Sequence, residues 1–135
     1  MKIIKTANLI PLNEEKTKIC LLVKKSQDKN NGKLCFPGES IKIGESNNQA
    51  IIRIIKDHMN CTVENFKEFK KTENRVKLAV IKSQYLTGTI KGEIKLDKRK
   101  YSDFEWFDFN QDLLELDFAF DEHKIIEHLL KNFKK

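Results

Sequence analysis

The side chains that could bind a metal ion are concentrated in one stretch, FPGESIKIGESNNQAIIRIIKDHMN, which runs from Phe36 to Asn60. Positions 54, 57 and 58 are three and four residues apart, so in a helix they share one face. Asp57 offers a carboxylate oxygen, the ligand type that Mg²⁺ prefers, whereas the nitrogen of His58 suits transition metals better. Ile54 offers no ligand. This spacing predicts a helix face that binds a divalent metal weakly or not at all.

The helix that must carry this face has clear start and stop signals. Ser46 followed three residues later by Gln49 is a capping-box pattern. An apolar face then extends to about Met59, and its members are Ala50, Ile51, Ile52 and Ile55. Asn60 suits the left-handed backbone conformation with which many helices end. We therefore expect a helix that begins after Ser46 and ends near Met59.

Before this helix the sequence favours extended structure. Residues 3–12 and 17–25 are β-rich runs separated by a polar turn. A polar loop that contains a glycine follows at residues 24–33. The segment from Leu34 to Ser40 is expected to be extended, because the residue before Pro37 is pushed away from the helical region.

After the helix, strands and helices alternate with no internal repeat, which indicates an α+β fold. Residues 61–88 predict a short strand, a polar turn and a long strand from about Lys77 to Leu86. We expect another strand from about Phe104 to Phe107 and a short helix at residues 110–116. An amphipathic helix capped by Asp121 closes the chain. Its apolar stripe is Ile125, Ile126, Leu129, Leu130 and Phe133.

The composition indicates a single globular domain spanning residues 1–135. The formal net charge of +6 would suit an anionic ligand, but lysines are spread along the whole chain, so we expect no specific nucleic-acid binding. Three cysteines without a C-x-x-C motif fit a reducing cytoplasm. No apolar run approaches the ~20 residues that span a bilayer, so no membrane association is expected.

Glu45 and Arg53 are eight residues apart and follow the pair Pro37-Gly38. This spacing matches a known signature, G-x(5)-E-x(7)-R-E-U-x-E-E-x-G-U, where U is a bulky aliphatic residue. In this register Ile55 also falls on a U position. The chain thereby resembles the Nudix hydrolases, and its closing segment FEWFDFNQDLLELDFAFDEHKIIEHLL is similar to theirs. The resemblance covers nearly the whole chain. It implies an α/β/α sandwich, with a mixed β-sheet between helices.

The departures from the signature fall on the residues that carry its chemistry. In the family, three glutamates on the helix gather divalent ions that bridge a diphosphate. Here Ile54 replaces the first of them, and Asp57 and His58 replace the other two. Glu39 stands where the signature has its first glycine. The last two signature positions are also changed, to Asn60 and Cys61.

The resemblance implies three groups of site residues. The catalytic residues would be Glu45, Arg53 and Asp57. The ligands of a weakly bound Mg²⁺ or Mn²⁺ would be the backbone of Gly38 and the side chains of Glu39, Asp57 and His58. The substrate-binding residues would be Phe118, Phe120 and Asp121. Acids that are candidates for a general base by position alone are Glu93, Asp97 and Asp103.

Each of these residues also has a structural interpretation, which the sequence leaves open. Glu45 and Arg53 could form an ion pair that ties the loop to the helix. Asp57 could be a solvated carboxylate and His58 a packed side chain, while Glu39 could serve as a compensating carboxylate. Alternating aromatic residues such as Phe118 and Phe120 are more often core than ligand contacts.

Two functions are compatible with this degenerate signature. The first is metal-assisted hydrolysis of a nucleoside diphosphate linked to another moiety. The alternative is a catalytically inactive domain that binds a nucleotide or a related phosphorylated ligand as a sensor or interaction module. A purely structural interaction domain is a third interpretation. The expected partner is a nucleotide or a nucleoside-diphosphate-linked small molecule, and a homodimer is left open.

Overall fold

The computed structural model describes residues 1–132, so Phe133 of the predicted apolar stripe lies outside the described residues. The strands in this part of the chain are β1 (Lys2–Leu12), β2 (Lys18–Lys24), β3 (Leu34–Cys35), β4 (Gly38–Ser40), β5 (Thr62–Val76), β6 (Ala79–Lys91) and β7 (Tyr101–Asp108). The helices are α1 (Asn47–Met59), a short 3-10 helix (Gln111–Glu115) and α2 (His123–Asn132). None of these helices is both long and apolar enough to cross a membrane.

Strand β1 is the centre of the sheet. It pairs in parallel with β6 from Lys2 to Leu12, and it pairs antiparallel with β4 and, at its end, with β2. Strand β2 continues the sheet to β3 and β7, and β5 pairs antiparallel with the far side of β6. The sheet is therefore mixed, as predicted.

The two faces of the sheet are covered by different helices, because side chains alternate along each strand. On β1, Ala7 and Leu9 pack in the cluster that includes the apolar face of α1. Ile10 and Leu12 point the other way and pack in the cluster that includes α2. The predicted α/β/α sandwich is confirmed.

Helix α1 begins and ends at the predicted residues. Ser46 and Gln49 form the reciprocal capping box. Asn60 adopts the left-handed conformation after the helix, with a φ of 58°. The predicted apolar face was wrong at Ile52, which is 52% exposed, whereas Ile54 is fully buried. Residues are about 100° apart around a helix, so the stripe that includes Ile51 and Ile55 passes through position 54 and not through position 52.

The prediction for residues 61–88 was wrong in its first half, whereas the long strand predicted from about Lys77 to Leu86 is present as β6. Instead of a short strand and a polar turn, β5 extends over 15 residues from Thr62 to Val76. It lies at the edge of the sheet, where backbone pairing with β6 suffices and most side chains face solvent, so apolar alternation is lost. Two register shifts interrupt the pairing, and Asn65, within the first of them, adopts a φ of 57°.

The closing elements follow the predicted order. Strand β7 includes the predicted 104–107 strand, and the short helix is a 3-10 helix whose first N–H groups are capped by Asn110. The α2 stripe is buried at Ile125, Ile126 and Leu129. The expected cap by Asp121 was wrong: α2 begins at His123, and Asp121 lies one residue before the cap position with a φ of 59°. An N-cap residue instead has an extended backbone.

Gly38 allows β4 to approach β1 closely. It is the register partner of Asn8, and a Cβ atom added at Gly38 would lie 1.9 Å from Asn8 Oδ1 and 3.1 Å from the carbonyl oxygen of Ala7. Contacts this short force the neighbouring atoms to move.

We therefore expect Gly38→Ala to lower the free energy of unfolding by roughly 1–3 kcal/mol, because it overpacks this strand pair. Urea denaturation measures the change. Ser40→Ala, on the exposed end of the same strand, is the matched control and should leave stability nearly unchanged. Equal stability of the Gly38 variant and the native protein would contradict the packing argument.

Candidate functional site

The side chain of Arg53 joins helix α1 to the loop before it. Its Nε lies 2.8 Å from Glu45 Oε2 and its Nη2 lies 3.0 Å from Glu45 Oε1, so the pair is bidentate. Glu45 Oε1 also accepts the backbone N–H of Lys42 at 2.9 Å. The hydrogen bonds from Arg53 and Lys42 lower the pKa of Glu45 to about 2. The predicted Glu45–Arg53 pair is present, and it holds the turn against the helix.

Glu39 is surrounded by basic side chains. Its Oε2 accepts a hydrogen bond from Arg53 Nη1, and its Oε1 lies 2.9 Å from His58 Nε2 and 3.7 Å from Lys100 Nζ. Burial by itself would raise the pKa of Glu39, but the hydrogen bonds from His58 and Arg53 outweigh it and lower the pKa. Glu39 does reach the helix, but there its negative charge is already paired with basic side chains.

His58 has both ring nitrogens in use. The ring is 1% exposed, and Nδ1 lies 2.8 Å from the Tyr101 hydroxyl. Burial lowers the pKa of His58 in spite of the opposing influence of Glu39, so the ring is neutral at neutral pH. A neutral ring satisfies both contacts when Nε2–H donates to Glu39 and Nδ1 accepts the Tyr101 hydroxyl. Neither nitrogen then has a lone pair available to a metal ion.

The residues of the predicted metal face do not fit a divalent metal ion. Ile54 and His58 are buried in the protein, whereas Asp57 faces solvent. The three positions therefore offer one exposed carboxylate, that of Asp57, and no second free ligand beside it. Within residues 1–132 no group of three or more His, Cys, Asp or Glu side chains is arranged to hold a metal ion.

Asp97 organises the loop that brings Lys100 and Tyr101 to this network. Its N–H donates to the carbonyl of His58 at 2.9 Å, and its own carbonyl accepts the N–H groups of Lys100 and Tyr101 at 3.0 and 3.1 Å. Its carboxylate pairs with Arg99 at 3.0 Å. Asp97 is therefore held in a structural role. The other two acids considered as a base by position are exposed, namely Glu93 and Asp103.

A cavity of about 570 Å³ lies beside the Glu39 network. Cross-strand rows on β1, β6 and β5 form its floor, including the hydroxyl row Thr6–Ser83–Thr72, in which Thr6 Oγ1 donates to Ser83 Oγ at 2.9 Å. Its aromatic lining residues are Phe36, Tyr85, Tyr101 and Phe120. This volume is within the range of about 300–1,000 Å³ that is typical of small-molecule sites.

Glu122 lines this cavity and is the functional candidate that the sequence interpretation missed. Only 2% of it is exposed, and it accepts hydrogen bonds from the Phe36 N–H at 3.0 Å and the Tyr85 hydroxyl at 2.9 Å. Burial raises the pKa of Glu122 to about 8, although both hydrogen bonds favour the ionised form. A signal was available, since Glu122 stands in register with Ile125 and Leu129 on the buried stripe of α2.

The predicted substrate-binding residues are divided between the cavity and the core. Phe120 and Asp121 line the cavity, whereas Phe118 is buried and its ring centroid lies 6.4 Å from that of Phe36 in the core. Phe120 and Asp121 have consecutive positive φ angles of 57° and 59°. Such backbone conformations cost free energy in residues other than glycine and cluster at functional sites. Here they hold the half-exposed ring of Phe120 at the cavity.

Comparison with known proteins identifies the family. A family model of the NUDIX domain matches residues 3–129. The chain belongs to the Nudix family. No curated protein sequence matches it.

Several solved structures superpose over nearly the whole chain. The MutT structure from a study of Aliivibrio salmonicida and Vibrio cholerae superposes with a TM-score of 0.79 at 20% identity, over 98% of this chain and 100% of that one. The E. coli ORF135 protein gives a TM-score of 0.83 at 17% identity, over 97% and 91%. The NUDIX domain of Shewanella oneidensis NrtR, solved with ADP-ribose, gives 0.75 at 18%, over 99% and 89%. At these low sequence identities, the similarity to the three structures establishes a shared fold only.

We expect Arg53→Ala to lower the melting temperature by roughly 4 °C or more, because it releases Glu39 and Glu45 together. Differential scanning calorimetry measures the change. Arg53→Lys keeps the charge but cannot form the bidentate pair, so its melting temperature should lie between those of the native protein and Arg53→Ala. Lys56→Ala, on the exposed side of the same helix, is the control. An unchanged melting temperature in Arg53→Ala would remove the structural assignment.

Glu122 should make the folded protein less stable as the pH rises. Its folded-state pKa of about 8 exceeds the ordinary value of 4.5, so between these values the folded state holds a proton that the unfolded state lacks. Stability therefore falls across this window. We expect the native protein to lose about 1–3 kcal/mol more than Glu122→Gln between pH 5 and pH 8 in urea denaturation. Glu127→Gln, exposed on α2, is the control, and parallel profiles of native protein and Glu122→Gln would contradict the assignment.

Proposed function

We propose that this Nudix domain binds a nucleotide or a nucleoside-diphosphate-linked small molecule in the 570 Å³ cavity, without metal-assisted hydrolysis. The observation that carries the proposal is the state of Glu39 and His58. Glu39 is paired with Arg53, His58 and Lys100, and both ring nitrogens of His58 are hydrogen-bonded. The groups that would have to bind a metal are therefore bound to each other.

Recruiting a metal ion to this place would require several bonds to break together. Glu39 would have to leave Arg53 and His58, which are largely buried and would lose hydrogen-bond partners. An unpaired buried polar group costs about 1–3 kcal/mol, and a charged one costs more. Asp57 would remain as a single exposed carboxylate, far short of the oxygen ligands that Mg²⁺ requires.

The cavity, in contrast, keeps the properties of a ligand site. It combines an aromatic wall at Phe120 and Tyr101 with a polar floor at Thr6 and Ser83. Aromatic rings suit stacking of a planar base, and hydroxyl groups suit polar atoms of a sugar. A structurally similar Nudix domain, that of Shewanella oneidensis NrtR, was solved in complex with ADP-ribose. ADP-ribose is therefore the appropriate first probe.

We expect isothermal titration calorimetry to detect ADP-ribose binding with the same affinity in chelator and in Mg²⁺ or Mn²⁺. A phosphate-release assay with phosphatase coupling should detect no turnover. At a free ligand concentration of 100 times Kd, the free energy of unfolding should rise by about 2.7 kcal/mol. Phe120→Ala should weaken binding, because it removes the exposed ring at the cavity. Leu114→Ala, an exposed apolar residue outside the cavity lining, is the matched control.

Three outcomes would contradict this proposal. Metal-dependent turnover by the native protein would show that the Glu39 network opens and that the domain is a hydrolase. An absence of ADP-ribose and nucleotide binding, with a melting temperature unaffected by either, would favour the purely structural interaction domain. A weakened affinity in Leu114→Ala equal to that in Phe120→Ala would place the ligand outside the cavity.

A further inference from the structure

Lys24, the last residue of β2, places a cation in the lining of the cavity. Its Nζ lies 5.7 Å from the ring centroid of Tyr101 and 5.9 Å from that of Phe120. Among residues 1–132 it takes part in no ion pair with a carboxylate. Aromatic faces attract an ammonium group but do not neutralise its charge. A half-buried ammonium group in this position is able to pair with an anion that enters the cavity.

In the described part of the chain no acid forms a direct ion pair with Lys24, although Asp28 and Glu122 lie close enough to interact with it electrostatically. Glu39 is already balanced by Arg53 and Lys100. Glu122 is protonated in most molecules at neutral pH, because burial raises its pKa to about 8. The remaining lining carboxylate, that of Asp121, is exposed to solvent.

Two further lysines extend the positive lining of the cavity. Lys70 comes from the edge strand β5 and Lys124 from the first turn of α2, so each is on a different element from Lys24. In the described part of the chain neither forms an ion pair. Cations on separate elements attract an anion into the space between them. Lys24 differs from the other two because its ammonium lies against two aromatic rings, which limits its freedom before a ligand arrives.

We infer that Lys24 binds phosphate oxygens of the ligand directly, so that the domain selects a diphosphate-bearing nucleotide through a lysine and not through a bridging metal ion. This inference rests on the proposed function and names its recognition residue. Charge-assisted hydrogen bonds from an ammonium group to phosphate oxygens need no divalent ion. Lys70 and Lys124, which line the same cavity from two other elements, add to this attraction.

The test compares ligands that differ in phosphate number. ADP-ribose, ADP, AMP and adenosine are titrated calorimetrically, in chelator, into the native protein and into Lys24→Gln, Lys24→Arg and Lys29→Gln. Lys29 is exposed in the loop after β2 and does not line the cavity, so it controls for overall charge. We expect Lys24→Gln to weaken ADP and ADP-ribose binding by roughly 10-fold or more and adenosine binding by much less. Lys24→Arg should retain most of the affinity for ADP.

The outcomes separate this inference from the function on which it rests. If Lys24→Gln weakens adenosine and ADP equally, Lys24 only supports the aromatic wall, and the inference is wrong while nucleotide binding stands. If Lys24→Gln has no effect, or no more effect than Lys29→Gln, the phosphates bind elsewhere and the inference is again wrong. If ADP binds the native protein only with added Mg²⁺, a metal and not Lys24 recognises the diphosphate. If the native protein binds none of the four ligands, the proposed function fails and the inference fails with it.

Discussion

The contact between Glu39 and Arg53 is the constraint on which the rest of the site depends. It ties β4 to α1, and because Arg53 also holds Glu45, the same guanidinium closes the loop between these two elements. The second oxygen of Glu39 fixes His58, which in turn holds the hydroxyl of Tyr101. One network centred on the Glu39 carboxylate therefore joins β4, α1, the loop between them and the start of β7. Fully satisfied polar networks of this kind are rigid, and they leave no group free to bind a metal ion.

This network separates the two properties that a Nudix site usually combines. Gathering divalent ions needs carboxylates on one helix face, and here that face presents Ile54 to the core. Enclosing a nucleotide needs a shaped and partly aromatic cavity, and its lining comes largely from β1, β5, β6 and the residues just before α2, which carry none of the altered helix positions. The first property can be lost without the second, because different elements carry them. Function therefore has to be argued from the site and not from the fold.

The cavity also shows how burial changes the charge that a ligand meets. Glu122 is an acid by sequence, but its burial under Phe36 and Tyr85 raises its pKa and leaves it mostly neutral. The side-chain nitrogen of Lys24 lies near two aromatic rings of the same lining. The lining is therefore more positive than its sequence composition suggests. A site with this field favours an anionic ligand even though no charge cluster is visible along the chain.

The sequence by itself determined the mixed order of strands and helices and the bounds of α1, because these depend on local capping and apolar periodicity. The α/β/α sandwich and the Glu45–Arg53 pair were implied by the resemblance to the Nudix signature, and the structure contains both. The sequence did not determine β5, whose edge pairing needs no apolar pattern. Nor did it determine the site. The burial of His58, the ion pairing of Glu39 and the burial of Glu122 all depend on contacts between residues that are 14 to 86 positions apart in the sequence. Only tertiary packing brings such residues together, and only the resulting burial decides which of them carry charge.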